Sequence, residues 1–432
     1  MLFVRHLKSL CIFALILIGS ATWCAADGVS LETCFRSALR QSALLAEQQE
    51  VVRQAEEHYR QALAAILPGI SAGYTYFNQD TANLPAGTDS SLYRDQTTAA
   101  LSLTQPLFRG FRDFAALKLN RNLIVSQQQA YQWAALQLYQ DTAGAFYLVL
   151  SLENDIAILQ KEADLYDKRI NELRSRVAIG RSRPTEVLNV QVSRATLLAQ
   201  MEQVRSQLAA ARELFAFLTG LPPASELFDP QEMPAALGSF ESYNARLSDR
   251  PDIKAALART AAAENGLDIA KGAYLPSADL AGDYFFNRPK GTLQDSKWDA
   301  QIDITLPVFT GGLNTSRHAE AESLLRQSRS DLEQVRRLAQ RDLRTIYQQL
   351  TYDLSQVKQF QDAADLAEKN YLAVAGDYDL GLVSNLEVLQ VMTNYQDVER
   401  SLNKARYNYK ADLNGLWAIT AAVNIPDRTA AP

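Results

Sequence analysis

Residues 298–311 read Trp298-Asp299-Ala300-Gln301-Ile302-Asp303-Ile304-Thr305-Leu306-Pro307-Val308-Phe309-Thr310-Gly311. Trp298, Ala300, Ile302, Ile304, Leu306 and Val308 alternate with Asp299, Gln301, Asp303, Thr305 and Pro307. Period two is the side-chain period of a β-strand, so one face is apolar and the other carries carboxylates and amides. A strand of about ten residues with this polarity suits a tilted membrane strand with lipid outside and water inside. Taken alone, the segment fits a half-buried hairpin on a soluble core better.

Just ahead of it, Ala278, Leu280, Gly282, Tyr284 and Phe286 alternate with Asp279, Ala281, Asp283 and Phe285, which makes a hairpin with the polar loop Asn287–Lys297. The same hairpin is written once before. Leu67-Pro68 precedes Ala72, Tyr74 and Tyr76 as Leu275-Pro276 precedes the second copy, a displacement of 208. Gln105-Pro106-Leu107-Phe108-Arg109-Gly110 matches Leu306 to Gly311 at a displacement of 201. That displacement continues through Ile179-Gly180 onto Leu380-Gly381, Glu186-Val187-Leu188 onto Glu387-Val388-Leu389, and Leu218-Thr219 onto Ile419-Thr420. The chain is therefore a duplication. The difference of seven falls in the loop, 18 residues over Gln79–Gln96 against 11 over Asn287–Lys297, where insertions are tolerated.

Two amphipathic hairpins, with Tyr74, Tyr76, Tyr284 and Trp298 near their ends like an interfacial aromatic belt, favour a membrane barrel over soluble hairpins. Four strands cannot close one. Open edges in hydrocarbon leave backbone donors and acceptors unpaired, so strands of other copies are expected to complete the ring.

Each second strand leads past a glycine turn into a long coil-forming segment. Ala135, Leu138, Thr142, Ala145, Val149, Leu152, Ile156, Leu159, Ala163, Tyr166, Ile170, Leu173 and Val177 recur at alternating spacings of mostly three and four. That is the 3.5-residue period of a left-handed coiled coil. The second copy repeats it through Leu343 to Tyr378, with Asp353 as a polar interruption within that run and Arg336 as one ahead of it. From Arg109 to Arg176 there is no proline, so one helix of about 100 Å is expected. The partner segments, 44–66 and 185–219, stacked end to end nearly match that length.

The boundaries predicted are a secretory signal peptide over 1–26 and a first repeat over 27–220, with strands 69–79 and 97–108 and helices 109–178 and 185–219. A proline-rich linker, 221–239, at mid-height precedes a second repeat over 240–421, with strands 277–287 and 298–309 and helices 312–379 and 386–419. A tail, 422–432, follows. Arg5 and Lys8 before the apolar run Leu10–Ile18 carry the signal-peptide reading. An uncleaved anchor and a lipid on Cys24 are its alternatives. Beyond the N-terminus no run of about 18 apolar residues is evident, which leaves no spanning helix expected there.

Lys and Arg number 43 and Asp and Glu 49, a formal charge of −6, which excludes general binding to nucleic acid. Three His and three Cys, with His58 and His318 at unrelated places in the two copies, leave no metal-ligand or nucleophile–base spacing. No cofactor, metal or catalysis is expected.

The signal peptide, the doubled strand–loop–strand, the Leu-Pro and Pro-Leu-Phe-x-Gly junctions, and the Gly followed six to nine residues later by Glu-Val-Leu resemble the TolC-like outer membrane efflux protein family. The resemblance covers nearly the whole chain after residue 26. It implies an α+β membrane protein of two structural repeats in the outer membrane of a Gram-negative bacterium. Long antiparallel coiled-coil helices would form a periplasmic α-barrel, and four strands per protomer would contribute to a twelve-stranded barrel of a homotrimer. It also implies docking on a periplasmic adaptor and an inner-membrane transporter, and a passive exit duct for efflux or type I secretion.

By resemblance, the tunnel closes at the two helix-to-helix turns, Ile179-Gly180-Arg181 and Leu380-Gly381-Leu382, which also meet the adaptor. Glu387 matches a constriction carboxylate, and Gln390 stands where the family has a second. Tyr378 and Glu186 match a hydrogen-bonded latch between inner and outer coils. Thr185 matches an acceptor whose arginine partner is here Val383, which leaves Arg181 or Arg183 as the expected substitute. On the residues alone, Glu387 fits an N-terminal helix charge and Tyr378 a coil-core residue equally well. The competing class is a secreted structural or adhesive coiled-coil protein without a pore, which accounts for the heptads but not for the doubled hairpins.

Overall fold

The computed structural model describes residues 28–82, 85 and 94–425. The expected signal peptide, Cys24, much of the first hairpin loop and the end of the tail lie outside the described residues.

Serine caps, prolines and left-handed glycines mark several of the helix ends. Ser30 and Ser42 cap helices α1 (Leu31–Gln41) and α2 (Ala43–Ala64), each accepting from the backbone N–H three residues on. Pro68 follows α2, and strands β1 (Gly69–Asn78) and β2 (Asp95–Arg109) form the first hairpin. Gly110, at φ +63°, turns the chain into α3 (Arg112–Ala178), which returns as α4 (Pro184–Thr219). After an irregular segment come α5 (Phe240–Asn244), a 3₁₀ turn (Ala245–Asp249) and α6 (Pro251–Gly272). Strands β3 (Ser277–Asn287) and β4 (Trp298–Thr305) then lead to α7 (Leu313–Asp379) and α8 (Asn385–Ile419).

The strands form one antiparallel sheet in the order β1-β2-β3-β4, so β1 and β4 are its free edges. β4 stops at Thr305 instead of reaching the expected residue 309. β3 ends its pairing with β4 at Ser277↔Thr305, and among the described residues no strand lies on the other side of β4 to hold Leu306–Phe309 in a ladder.

α3 and α7 have 67 residues each, about 100 Å of helix. α3 packs on α2 and α6, which lead into the strands, and on α4 and α8, which start at the distant turns. α7 packs on α6 and α8. Around the rod the order is thus α2–α3–α6–α7 near the sheet and α4–α3–α8–α7 away from it. The chain's free sides, α2 with α4 and α7, line up with the free edges β1 and β4. Gly220, the left-handed cap ending α4, sits against Gln41 of α1, which joins the lower helix end to end with the upper ones.

Coil positions supply the core. Ala135, Ala145, Val149, Leu159, Ala163, Tyr166, Ile170 and Leu173 of α3 are buried, as are Leu343, Leu350, Val357, Ala364 and Ala367 of α7. One difference from the sequence reading concerns α3, which contains an 18-residue window of mean hydropathy 1.3, apolar enough by length and composition to cross a membrane. Its apolar character follows from its position: touched by α2, α4, α6 and α8, α3 presents more than one apolar stripe.

At mid-height the linker is tied down by polar contacts. Val29 pairs with Leu227, Lys410 Nζ donates to Asp229 Oδ2 at 2.6 Å, and Asn414 donates to Gln231 Oε1 at 3.2 Å.

Candidate functional site: the coil ends

Both helix-to-helix turns are built alike. In the first, Gly180 (φ +75°) donates to Val177 O at 2.9 Å and Arg181 N to Arg176 O at 2.8 Å. In the second, Gly381 (φ +76°) donates to Tyr378 O at 3.0 Å and Leu382 N to Asp377 O at 2.9 Å. These are Schellman closures, in which a left-handed glycine lets two N–H groups satisfy the last helix carbonyls. The turns leave Ile179, Leu380 and Leu382 exposed at 66%, 75% and 71%. Pro184 opens α4 at a position that needs no N–H.

Glu186 and Glu387 are repeat partners, both in the first turn of their helices. Glu387 forms a capping box: its N–H donates to Ser384 Oγ, and its Oε1 accepts from Ser384 N at 3.3 Å and Oγ at 2.8 Å. Glu387 and Gln390 are both exposed, three residues apart, so they share one helix face at the mouth. Glu186 accepts from Ser182 Oγ at 2.8 Å. Thr185 is exposed.

The inter-coil links differ from those expected. No hydrogen bond joins Tyr378 to Glu186. Tyr378 is buried at 7% exposure with the Arg169 guanidinium 3.7 Å from its ring centre and that of Arg176 at 4.5 Å. Burial, with some help from the Glu186 charge and against that of Arg169, pushes its phenol up from the ordinary range. Arg169 Nε donates to Asn385 Oδ1 at 2.9 Å and Arg176 Nη2 to Asp379 Oδ1 at 2.5 Å. Glu172 bridges both arginines, each at 2.8 Å. The end of α3 is thus fastened to the α7–α8 turn by Arg169 and Arg176, not by Arg181 or Arg183. Val383 instead packs with the apolar cluster of Leu173, Val190 and Tyr378.

Sequence reasoning missed Arg169, Glu172, Arg176 and Asn385. A signal was present: the first three stand at i, i+3 and i+7, one face of a coil that is otherwise apolar there. Higher up, an open groove of about 780 Å³ runs between α4 and α8 over α3, with Arg400 bound to Asp155 at 2.6 and 3.0 Å along its wall.

Duplicated hairpins in one open sheet, carried on paired helices of about 100 Å that end in two exposed glycine turns, define a protein of the outer-membrane channel class. The chain belongs to the outer membrane efflux protein family, whose model matches residues 35–221 and 243–422. It is similar to the outer membrane protein TolC of Escherichia coli, 25% identical over 398 residues, covering 86% of this chain and 78% of that one. It is 26% identical over 420 residues to the pyoverdine export outer membrane protein OpmQ of Pseudomonas aeruginosa, covering 91% and 87%. Its fold matches the crystal structure of the outer membrane protein VceC of Vibrio cholerae with a TM-score of 0.77 at 20% identity, over 90% of this chain and 95% of that chain. The chain is an outer-membrane exit duct of the efflux or type I secretion kind.

Proposed function

We propose that three copies close a twelve-stranded barrel in the outer membrane and a continuous α-helical tunnel in the periplasm, fed by a periplasmic adaptor and an inner-membrane transporter. The observation that carries this is the alignment of every free edge. β1, α2 and α4 lie along one side of the protomer and β4 and α7 along the other, so one rotation pairs sheet with sheet and coil with coil.

The apolar side chains Ile179, Leu380 and Leu382 on adjacent exposed turns are the docking tip for the adaptor. Glu387 and Gln390, repeated by the ring, form a constriction with three carboxylates, attractive to cations. Tyr378, clamped by Arg169 and Arg176, holds the closed arrangement, and Glu186 acts on it through charge. Thr185 takes no part in the clamp. The duct is passive, and cargo is chosen by the transporter.

Detergent-extracted protein incorporated in planar bilayers tests the proposal. Ion conductance together with an oligomer on unheated gels that falls to monomer on boiling is expected. A protein that is soluble, monomeric and non-conducting overturns it.

A further inference from the structure

The duplication is held residue by residue in the sheet. The first hairpin pairs Gly69↔Thr104 and the second Ser277↔Thr305. The displacements of 208 and 201 carry the one pair onto the other. The seam between the repeats, β2 with β3, pairs Leu101↔Tyr284, Ser102↔Asp283, Leu103↔Gly282 and Gln105↔Leu280. Carried by the same displacements, those four pairs become Ile302↔Tyr76, Asp303↔Thr75, Ile304↔Tyr74 and Leu306↔Ala72, all between β4 and β1, the two free edges.

Two asymmetries between the repeats show that, among the described residues, β4 and β1 each lack a neighbour on one side. β2 runs on to Arg109 because β3 takes up Gln105, Pro106, Phe108 and Arg109, whereas β4 ends at Thr305 with Val308 and Phe309 exposed at 90% and 89%. Gly110 is buried against Gly272, so close that a Cβ on Gly110 would lie 2.3 Å from the Gly272 carbonyl oxygen. Its counterpart Gly311 has the same backbone, φ +60°, and nothing within 4 Å of such a Cβ, while Ala64, the counterpart of Gly272, is exposed. The polarity of the derived pairs is also right. On the apolar face Ile302 and Ile304 meet Tyr76 and Tyr74, aromatic against β-branched. On the polar face the Ser102 hydroxyl that donates to Asp283 is replaced by the Thr75 hydroxyl opposite the Asp303 carboxylate.

We propose that β4 of one copy receives β1 of the next in the register of the β2–β3 seam, with Asp303 opposite Thr75 and Ile304 opposite Tyr74. This rests on the ring reading above and adds the register of its joint. Leu306–Thr310 becomes strand only in the assembly. The joint also lacks two features of the inner seam. A Cβ on Gly272 would lie 2.4 Å from the Gly110 carbonyl oxygen, and its counterpart Ala64 carries one, so the close glycine contact is not repeated. The Arg109–Asp279 ion pair at 3.0 Å maps onto Thr310 and Ser71, so the contact between copies has hydroxyls where the inner contact has charges.

A cysteine swap in whole envelopes tests the register. Asp303→Cys is combined with Thr75→Cys or with Gly73→Cys, and Thr305→Cys with the same two. Cys34 is 0% exposed and its thiol is pushed up to about 12 by burial, so it does not compete. Directly opposed Cβ atoms lie about 5 Å apart and diagonal ones about 7–8 Å, and a disulfide needs about 4 Å. On mild oxidation, 303 with 75 and 305 with 73 are expected to give covalent multimers, roughly tenfold more than the crossed pairs 303 with 73 and 305 with 75. The same single substitutions occur in both sets, so a folding defect cannot imitate the pattern. Stronger cross-linking in the crossed pairs overturns the register and leaves the ring standing. An unmodified chain that migrates as a monomer on native gels overturns the ring itself.

Discussion

Asp353 is buried at 6% exposure between α7 and α8, with Gln349 donating to its Oδ1 at 2.8 Å and nothing on its Oδ2. Asp412 of α8 lies beside it, and burial together with Asp353 pushes the Asp412 carboxyl up to about 7. A buried carboxylate oxygen without a donor is satisfied when its neighbour keeps a proton. The consequence for stability has a definite sign. Asp412 holds its proton in the folded protein from the ordinary carboxylate range up to about pH 7, while the unfolded chain has released it. The folded form therefore binds more protons, and this contribution is largest near pH 4 and is lost as the pH rises to about 7. Asp412→Asn supplies a permanent N–H donor to Asp353. Melting curves of the two proteins from pH 5 to 8 should diverge, with the variant flatter and the more stable of the two at pH 8. Parallel curves would show that the proton is not shared.

At the scale of elements, the burial pattern makes the coils sensitive and the surface tolerant. Leu343 is 0% exposed in α7, and Leu343→Ala should cost about 2–5 kcal/mol in unfolding free energy, whereas Leu366→Ala, at 66% exposure in the isolated chain, should cost little before assembly. Chemical unfolding of protein refolded in detergent as monomer checks the pair. The junction glycine is stricter. Gly110→Ala places a methyl against the Gly272 carbonyl at φ +63° and should lower the melting temperature markedly, while Gly311→Ala, with open space, should cost less in the same monomer. The heptads, hairpins and turn glycines could be read from the chain because each is a local, periodic signal. The end of β4 could not, because Leu306-Pro307-Val308-Phe309 repeats the first copy in sequence but lacks its neighbour in the protomer. Nor could the partner of Tyr378, since Arg169 reaches it from a helix 209 residues away in the chain, and no local pattern records a distant contact.

At the scale of the molecule, the clamp at the coil ends breaks the symmetry that the duplication otherwise imposes. The repeat counterparts of Arg169, Glu172, Arg176 and Tyr378 are Asn370, Ala373, Asp377 and Val177, so nothing ties the second turn of contacts in the same way. Among the described residues the clamp fastens α3 to the α7–α8 turn, and on the function proposed above its loosening would free that coil pair to move against α3–α4. Arg169 is 9% exposed, so its bonds are shielded from solvent and weigh more than a surface pair. Arg169→Ala should therefore raise single-channel conductance several-fold. Arg194→Ala removes the Asp167–Arg194 pair at 2.7 Å, which lies within the α3–α4 coil, and should leave conductance unchanged. Because the Tyr378 ring, not its hydroxyl, meets the guanidinium groups, Tyr378→Phe should conduct like the unmodified protein and Tyr378→Ala should conduct more. Planar-bilayer recordings of the four variants separate the alternatives. Opening by Tyr378→Phe would assign the latch to the hydroxyl and to Glu186, and equal conductance in all four would place the closure elsewhere than at this clamp.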